Sequence, residues 1–310
     1  MANYDCSFIF PLLNEHDNIM FSYEKIHEIM KNTKYNFEII YVDDGSTDNS
    51  VDIIKELADK DKDVKLVSFS RNFGQHPAIM AGFGAATGKC AINMDIDMQE
   101  DPSVIPEMLK KWEEGFEIVT IKRKKRKESI TKRLMDKMYY GVLSHLGQKN
   151  ISNLADFRLL DQKVISAITS LQDNNIYIRT QLDALGFKST TLLADRNERQ
   201  NGKTKYNLKK MAKTAIKSIV SSTVKPLYYA FTASFISFML SFLSLATFVV
   251  LACVSVPFNP SFWLIPIVLA CTGAITLCLG FIGIYLGFTY DQARQKPAFI
   301  IRETVNLDKD

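Results

Sequence analysis

Asn93-Met94-Asp95-Ile96-Asp97-Met98-Gln99-Glu100-Asp101-Pro102 places two aspartates one residue apart, just where an apolar run, Cys90-Ala91-Ile92, gives out. Side chains on a strand repeat every second residue. A strand ending here would therefore turn Asp95 and Asp97 to the same side, where hard carboxylate oxygens can reach one divalent cation. Asp-x-Asp by itself is as easily a solvated loop, so the flanking segments have to decide.

Upstream, Cys6-Ser7-Phe8-Ile9-Phe10-Pro11 reads as a strand closed by a proline, with Asn14 and Glu15 in the loop that follows. A helix is expected over about 19–30, then a strand, Phe37-Glu38-Ile39-Ile40-Tyr41-Val42. Asp43-Asp44-Gly45-Ser46-Thr47-Asp48 is turn chemistry leading into a helix over 51–58. The pattern repeats with a strand over 64–69, the loop Arg71-Asn72-Phe73-Gly74 and a helix over about 77–86. Successive strands thus deliver polar residues to one edge, where open parallel sheets bind ligands, and the fold class is α/β of Rossmann type.

The hydrophobic 47% of the 310 residues is unevenly spread. Between Pro226 and Tyr290 there is no Asp, Glu, Lys or Arg, and two spans, 227 to about 256 and 262 to about 290, each exceed the roughly 20 residues that cross a bilayer core. The alternative, a buried hairpin in a soluble protein, fits poorly with so long an uncharged run. Pro257-Phe258-Asn259-Pro260 is the turn between the spans. Lys203, Lys205, Lys209, Lys210, Lys213, Lys217 and Lys225 precede the first span and Arg294, Lys296 and Arg302 follow the second, which predicts a multi-pass plasma-membrane protein with both flanks cytoplasmic. The expected division is a cytoplasmic domain over 1–225, a two-helix transmembrane hairpin over 226–290 and a cytoplasmic tail over 291–310. The N-terminus does not read as a signal peptide. Cys6, Cys90, Cys253, Cys271 and Cys278 lack metal-ligand spacing and read as free thiols. His16, His27, His76 and His145 are scattered and read as surface or packing residues.

Pro11-x-x-Asn14-Glu15, Asp43-Asp44-Gly45-Ser46-x-Asp48, Arg71-Asn72-Phe73-Gly74 and Asp95-x-Asp97-x-Gln99-x-Asp101-Pro102, in this order, resemble glycosyltransferase family 2 with its GT-A nucleotide-sugar fold. Asp156-Phe157-Arg158-Leu159-Leu160-Asp161 and Arg199-x-x-Gly202-x-Thr204-Lys205-Tyr206 are similar to a narrower branch, the polyprenyl-phosphate glycosyltransferases, which includes dolichol-phosphate mannose synthases and bactoprenol glucosyltransferases. The resemblance runs along essentially the whole chain, and Thr204 stands where the family often has serine. It implies a uridine pocket from Pro11, Glu15, Asp43 and Asp44, while Ser46 and Asp48 are better read as turn and helix-cap residues. Arg71 is either a base or phosphate contact or a surface ion pair. Asp95 and Asp97 would hold Mg2+ or Mn2+ against the donor diphosphate, Asp97 the more direct ligand, with Gln99 completing the shell or touching the sugar. Arg199 and Lys205 are expected to clamp the same diphosphate, and the role of Lys203 stays open. Asp156 matches the family's catalytic aspartate; its alternative is a structural acid paired with Arg158, and Asp161 reads as structural.

The acceptor side rests on the basic run Lys122-Arg123-Lys124-Lys125-Arg126-Lys127, generically a nucleic-acid or targeting signal. Amphipathic helices expected over about 131–147 and 206–224 set that run beside a membrane lipid surface instead, although packing onto the domain explains their apolar faces equally well. By resemblance Arg123, Ser129 and Arg133 would bind the lipid phosphate, and no nucleic-acid partner is expected. The implied reaction is inverting transfer of one sugar from a UDP-sugar to polyprenyl (undecaprenyl) phosphate. Glucose is the first choice of sugar and N-acetylglucosamine the second, and the product would serve as a lipid-linked donor for cell-envelope glycan modification. The alternatives are a tethered transferase acting on a polysaccharide or protein, and a non-catalytic scaffold. Similar proteins form tetramers, so a homo-oligomer is expected. Gly283 and Gly287 would allow close helix contact within or between subunits. The tail, Ala298-Phe299-Ile300-Ile301, has two possible docking places as a strand, a neighbouring subunit or its own domain.

Overall fold

A computed structural model of the protein describes residues 4–123, 154–170, 178, 182, 185–194, 225–254, 261–293 and 297–307. The chain divides into two compact units, one of Met1–Tyr140, Asn150–Tyr206 and Pro297–Asp310, the other of Gly141–Lys149 and Asn207–Lys296.

In the first unit, strand and helix alternate as the hydrophobic pattern predicts: β1 (Tyr4–Leu12), α1 (His16–Met30), β2 (Phe37–Asp43), α2 (Ser50–Lys60), β3 (Val64–Phe69), α3 (Gln75–Ala85) and β4 (Gly88–Asn93). A 3-10 turn (Pro102–Val104) leads into α4 (Ile105–Glu113), followed by β5 (Ile118–Arg123), β6 (Leu154–Asp161), α5 (Gln162–Thr169), β7 (Ser189–Ala194) and, after the second unit, β8 (Ile301–Val305). One eight-stranded sheet results, in the order β7-β5-β6-β4-β1-β2-β3-β8. β3, β2, β1 and β4 are parallel, β6 runs antiparallel to both β4 and β5, and β8 runs antiparallel to β3.

The centre of the sheet is buried on both faces, which is why β1 reads as a continuous apolar run rather than an alternating one. Phe8 and Phe10 join the core beneath α1, α2 and α4, with Ile26, Ile54 and Met108. Ile9 points the other way, into the core shared with Ile79 of α3 and Ile165 of α5. Burying each such side chain contributes roughly 1.5–3 kcal/mol. The chain turns from β1 to β2 on one side and is joined by β4 on the other, so strand order reverses at β1 and opens a crevice beyond the strand ends. α3 lies close under that point because Gly82 has no side chain; a Cβ there would sit 2.3 Å from Ile9 Cγ2.

The second unit contains α6 (Lys225–Cys253) and α7 (Ser261–Ala293), the helices expected from the uncharged run. Among the described residues, one stretch is long and apolar enough by composition to cross a membrane: Ala270–Gly287 in α7, with a mean hydropathy of 1.8 and none of it buried. Among the described residues, a Cβ at Gly283 or Gly287 would meet nothing within 4 Å. The tail takes the second of its two options, pairing with β3 of its own sheet.

Candidate active site

The first three loops of the C-terminal edge are stitched together by short polar side chains. Asn14 adopts a positive φ of 55° after β1; its N–H donates to Ser46 Oγ (2.9 Å) and its Oδ1 accepts from the Thr47 N–H (2.8 Å). Glu15 ends that loop as the residue capping α1, accepts from Asn18 Nδ2 at 2.6 Å, and donates its N–H to Ser50 Oγ at 3.2 Å. Pro11 is buried opposite Val42 of β2. The helix cap expected at Asp48 is displaced by one residue. Asn49 is the N-cap of α2, and Asp48 closes onto the Ser50 N–H (3.0 Å) from just outside while accepting from His16 Nδ1 (2.9 Å). The Asp48 hydrogen bond, with Asp17 adding to it, raises the pKa of His16 above the usual imidazole value.

Asp43 and Asp44 are nearly sealed, at 1% and 4% exposure. Asp43 accepts from the Ser46 N–H (2.9 Å) and from Ser68 Oγ (2.8 Å). Asp44 accepts from the Phe73 N–H (2.6 Å) and the Gly74 N–H (2.9 Å), so it tethers the Arg71–Gly74 loop, a task the sequence did not reveal. Burial raises its pKa above the ordinary carboxylate value, against the pull of those two N–H groups. Gly45 makes the approach possible: it sits at φ +76°, and a Cβ there would lie 2.5 Å from the Arg71 carbonyl carbon. Arg71 is exposed and its guanidinium lies over the Phe73 ring at 4.0 Å; among the described residues no ion pair to it is seen.

The aspartate pair is not on a strand. β4 ends at Asn93, and a turn closed by Met98 N–H to Asp95 C=O (3.1 Å) carries both acids, with Met98 at φ 45°. The expected alternation survives the change of backbone. Met94, Ile96 and Met98 are buried in the core, while Asp95 and Asp97 between them remain partly exposed. Gln75 Nε2 donates to Asp95 Oδ1 (2.8 Å), and Gln99 Nε2 donates to Asp97 Oδ2 (2.8 Å). Gln99 is thereby placed on Asp97 itself. Gln75, which opens α3 directly after the Arg71–Gly74 loop, is a site residue that motif reading missed; its only signal was its place next to that motif.

β6 brings the remaining acid to the same edge because it runs backwards. Arg158 lies opposite Asn93 of β4 and Thr120 of β5, and two residues beyond that pairing stand Asp95 on one chain and Asp156 on the other. Asp156 Oδ1 accepts from Arg158 Nη2 at 2.7 Å, with Arg158 only 3% exposed, so the structural pairing weighed for Asp156 is present. Asn93 Nδ2 donates to the Asp156 carbonyl, a second positioning contact that sequence reading missed. β5 runs the same way as β4, so Arg123, its last residue, also reaches this edge. Ser129, Arg133, Arg199, Lys203, Lys205, the helices expected over 131–147 and 206–224, and the turn over 257–260 lie outside the described residues.

Two partly exposed carboxylates on one turn fit a hard divalent cation of the kind that takes its other ligands from phosphate and water. Among the described residues, no third His, Cys, Asp or Glu joins them in a closed metal cage. Such a donor set suits an ion shared with a ligand rather than a structural site.

The glycosyl transferase family 2 model matches residues 7–179. The uncharacterized glycosyltransferase YkcC of Bacillus subtilis is 37% identical over 307 residues, covering 97% of this chain and 94% of its own. The bactoprenol glucosyl transferase of Shigella phage SfII is 31% identical over 304 residues, covering 96% and 97%. Among solved structures, mannosyl-3-phosphoglycerate synthase from Rubrobacter xylanophilus superimposes with a TM-score of 0.51 over 70% of this chain and 72% of that one, at 16% identity, a likeness of fold. With a doubly wound GT-A sheet, acids gathered at its switch point and relatives matched nearly end to end, the chain belongs to glycosyl transferase family 2 and is a glycosyltransferase.

Proposed function

We propose that the enzyme transfers a single sugar, glucose first, from a UDP-sugar to a polyprenyl phosphate such as undecaprenyl phosphate at the cytoplasmic face of a membrane. The observation that carries this reading is the end-to-end match to bactoprenol glucosyl transferases, which takes in α6 and α7 as well as the acid-bearing sheet edge. In this reading the two helices form a membrane hairpin and the unit formed around the sheet stays on the cytosolic side, within reach of a lipid phosphate.

Asp95 and Asp97 would hold Mg2+ or Mn2+ against the donor diphosphate, with Gln75 and Gln99 fixing the two carboxylates. The bound ion would offset the charge that develops on the departing UDP. Asp43, Asp44, Glu15 and Pro11 shape the uridine side, and Arg71, held over Phe73, presents its guanidinium to base or phosphate. Arg199 and Lys205 would close on the diphosphate, and Arg123, Ser129 and Arg133 would receive the acceptor phosphate. A phosphomonoester has its second pKa near 6 and is already largely anionic at neutral pH, so the nucleophile needs little help from a base. Asp156, pinned by Arg158 and Asn93, therefore serves to orient the acceptor or the sugar hydroxyls during in-line, inverting attack.

Membranes containing the protein, incubated with undecaprenyl phosphate and a panel of labelled UDP-sugars, should give a chloroform-soluble product with one sugar above all. EDTA should abolish product formation, and added Mg2+ or Mn2+ should restore it. Label appearing only in polymer or protein would reject the lipid acceptor. Activity indifferent to EDTA would reject the metal assignment.

A further inference from the structure

Residues 299 and 300, which lead into β8, pass beside the Arg71–Gly74 loop before the strand runs back along β3. The Ser70 N–H donates to the Ile300 carbonyl (3.0 Å), just where the β3–β8 register shifts between Ser68 and Phe69. Phe299 stacks on Phe69, with ring centroids 4.9 Å apart and planes at 11°. Phe69, 1% exposed, meets Phe73 edge to face at 5.7 Å, and the Arg71 guanidinium lies 4.0 Å above the Phe73 ring. Three rings in series thus connect the C-terminal tail to an exposed arginine. The Phe73 backbone is held from the other side by Asp44. Farther along, the tail is fixed independently: Glu303 pairs with Lys55 (2.8 Å), and Asn306 Nδ2 donates to the carbonyls of Ala58 (2.7 Å) and Val64 (2.9 Å).

Glu303 and Asn306 anchor the strand that covers β3, and Phe299 adds apolar packing against the core around Phe69. The Phe299 stack does something further. Offset-stacked and edge-to-face rings resist rotation of their neighbours, and a guanidinium over a ring face is oriented by that face. We propose that Phe299 is a positioning residue for the donor site: acting through Phe69 and Phe73, it sets the Arg71 guanidinium for a nucleoside diphosphate. This rests on the reading of Arg71 as a nucleotide contact given under the proposed function.

The test uses the full-length protein in detergent, with UDP binding measured by calorimetry in the presence of Mn2+ and KM and kcat measured with UDP-glucose. Phe299→Ala should weaken UDP binding and raise KM about fivefold, with kcat changed by less than about twofold. Phe299→Tyr, which keeps the ring, should restore both. Asn306→Ala, which loosens the far end of the tail, should lower Tm without changing UDP affinity. In an Arg71→Ala background, Phe299→Ala should add nothing further, because the two act through one contact chain. Unchanged UDP affinity in Phe299→Ala, an equal loss in Asn306→Ala, or additive losses with Arg71→Ala would overturn the positioning role while leaving the donor assignment intact. A wild-type protein that binds no UDP would overturn both together.

Discussion

The two edges of the one sheet are both rich in acids, and they treat them differently. At the N-terminal edge carboxylates meet cations. Lys89 contacts Asp5 at 2.6 Å and holds its pKa below the usual carboxylate value, and Lys65 meets Glu38 in the interior, where Ser7 Oγ (2.5 Å) and the Thr87 N–H (2.7 Å) also bond to that carboxylate. At the C-terminal edge Asp43 and Asp44 are held by hydroxyl and backbone N–H groups, and the described hydrogen bonds to Asp95 and Asp97 come from the amides of Gln75 and Gln99. Neutral donors fix a carboxylate without cancelling its charge. Asp156, in its ion pair with Arg158, and Asp48, beside His16, are exceptions at the second edge, where the amide contacts on Asp95 and Asp97 orient two carboxylates suited to a divalent cation.

That contrast sets the expected effects of substitution. Asp97→Ala should lower transfer at least about a hundredfold, as loss of a principal transition-state charge stabiliser does, while Tm moves by no more than about 2 °C. A collapse in Tm would mean that this edge is architecture. Glu38→Ala should do the opposite. It leaves Lys65 buried without its partner and should cost roughly 3–5 kcal/mol in denaturant unfolding, with kcat/KM per folded molecule unchanged. Asp44→Asn tests the intermediate case. Burial raises the folded pKa of Asp44, so its stabilising contribution is complete only below the unfolded value of about 3.9 and is lost as pH rises through the folded one. An asparagine oxygen can still accept from Phe73 and Gly74, so Tm at neutral pH should hold or rise while KM for the UDP-sugar increases about fivefold. The smallest effect is expected at His16. Its folded pKa is raised by Asp48, so its contribution is present below about 6.5 and fades as pH climbs through the raised value, and His16→Asn should flatten that part of the Tm–pH curve.

Much of this was readable in the chain before any coordinates. The apolar runs of β1, β2 and β3 and the punctuation after them placed three loops on one edge, because a buried parallel strand must be apolar and its exit must be polar. Asp95 and Asp97 were rightly expected on a common side, for a reason that proved incomplete: the turn after Asn93 preserves the alternation because Met94, Ile96 and Met98 are drawn into the core. Less legible were contacts between segments distant in sequence. Nothing local told that Asp44 would hold Phe73 and Gly74, that Gln75 would reach Asp95, or that Asn93 would fasten the Asp156 carbonyl.

Composition and period thus settled the strand and helix alternation from β1 to β4 and where the uncharged pair begins, since those follow from side-chain burial one element at a time. The direction of β6, which carries Asp156 to the acid-rich edge, and the return of β8 to β3, which brings Phe299 against Phe69, had no counterpart in any local pattern. Strand direction and edge pairing depend on which partner satisfies a row of backbone N–H and C=O groups, and that choice is made only when the whole sheet assembles.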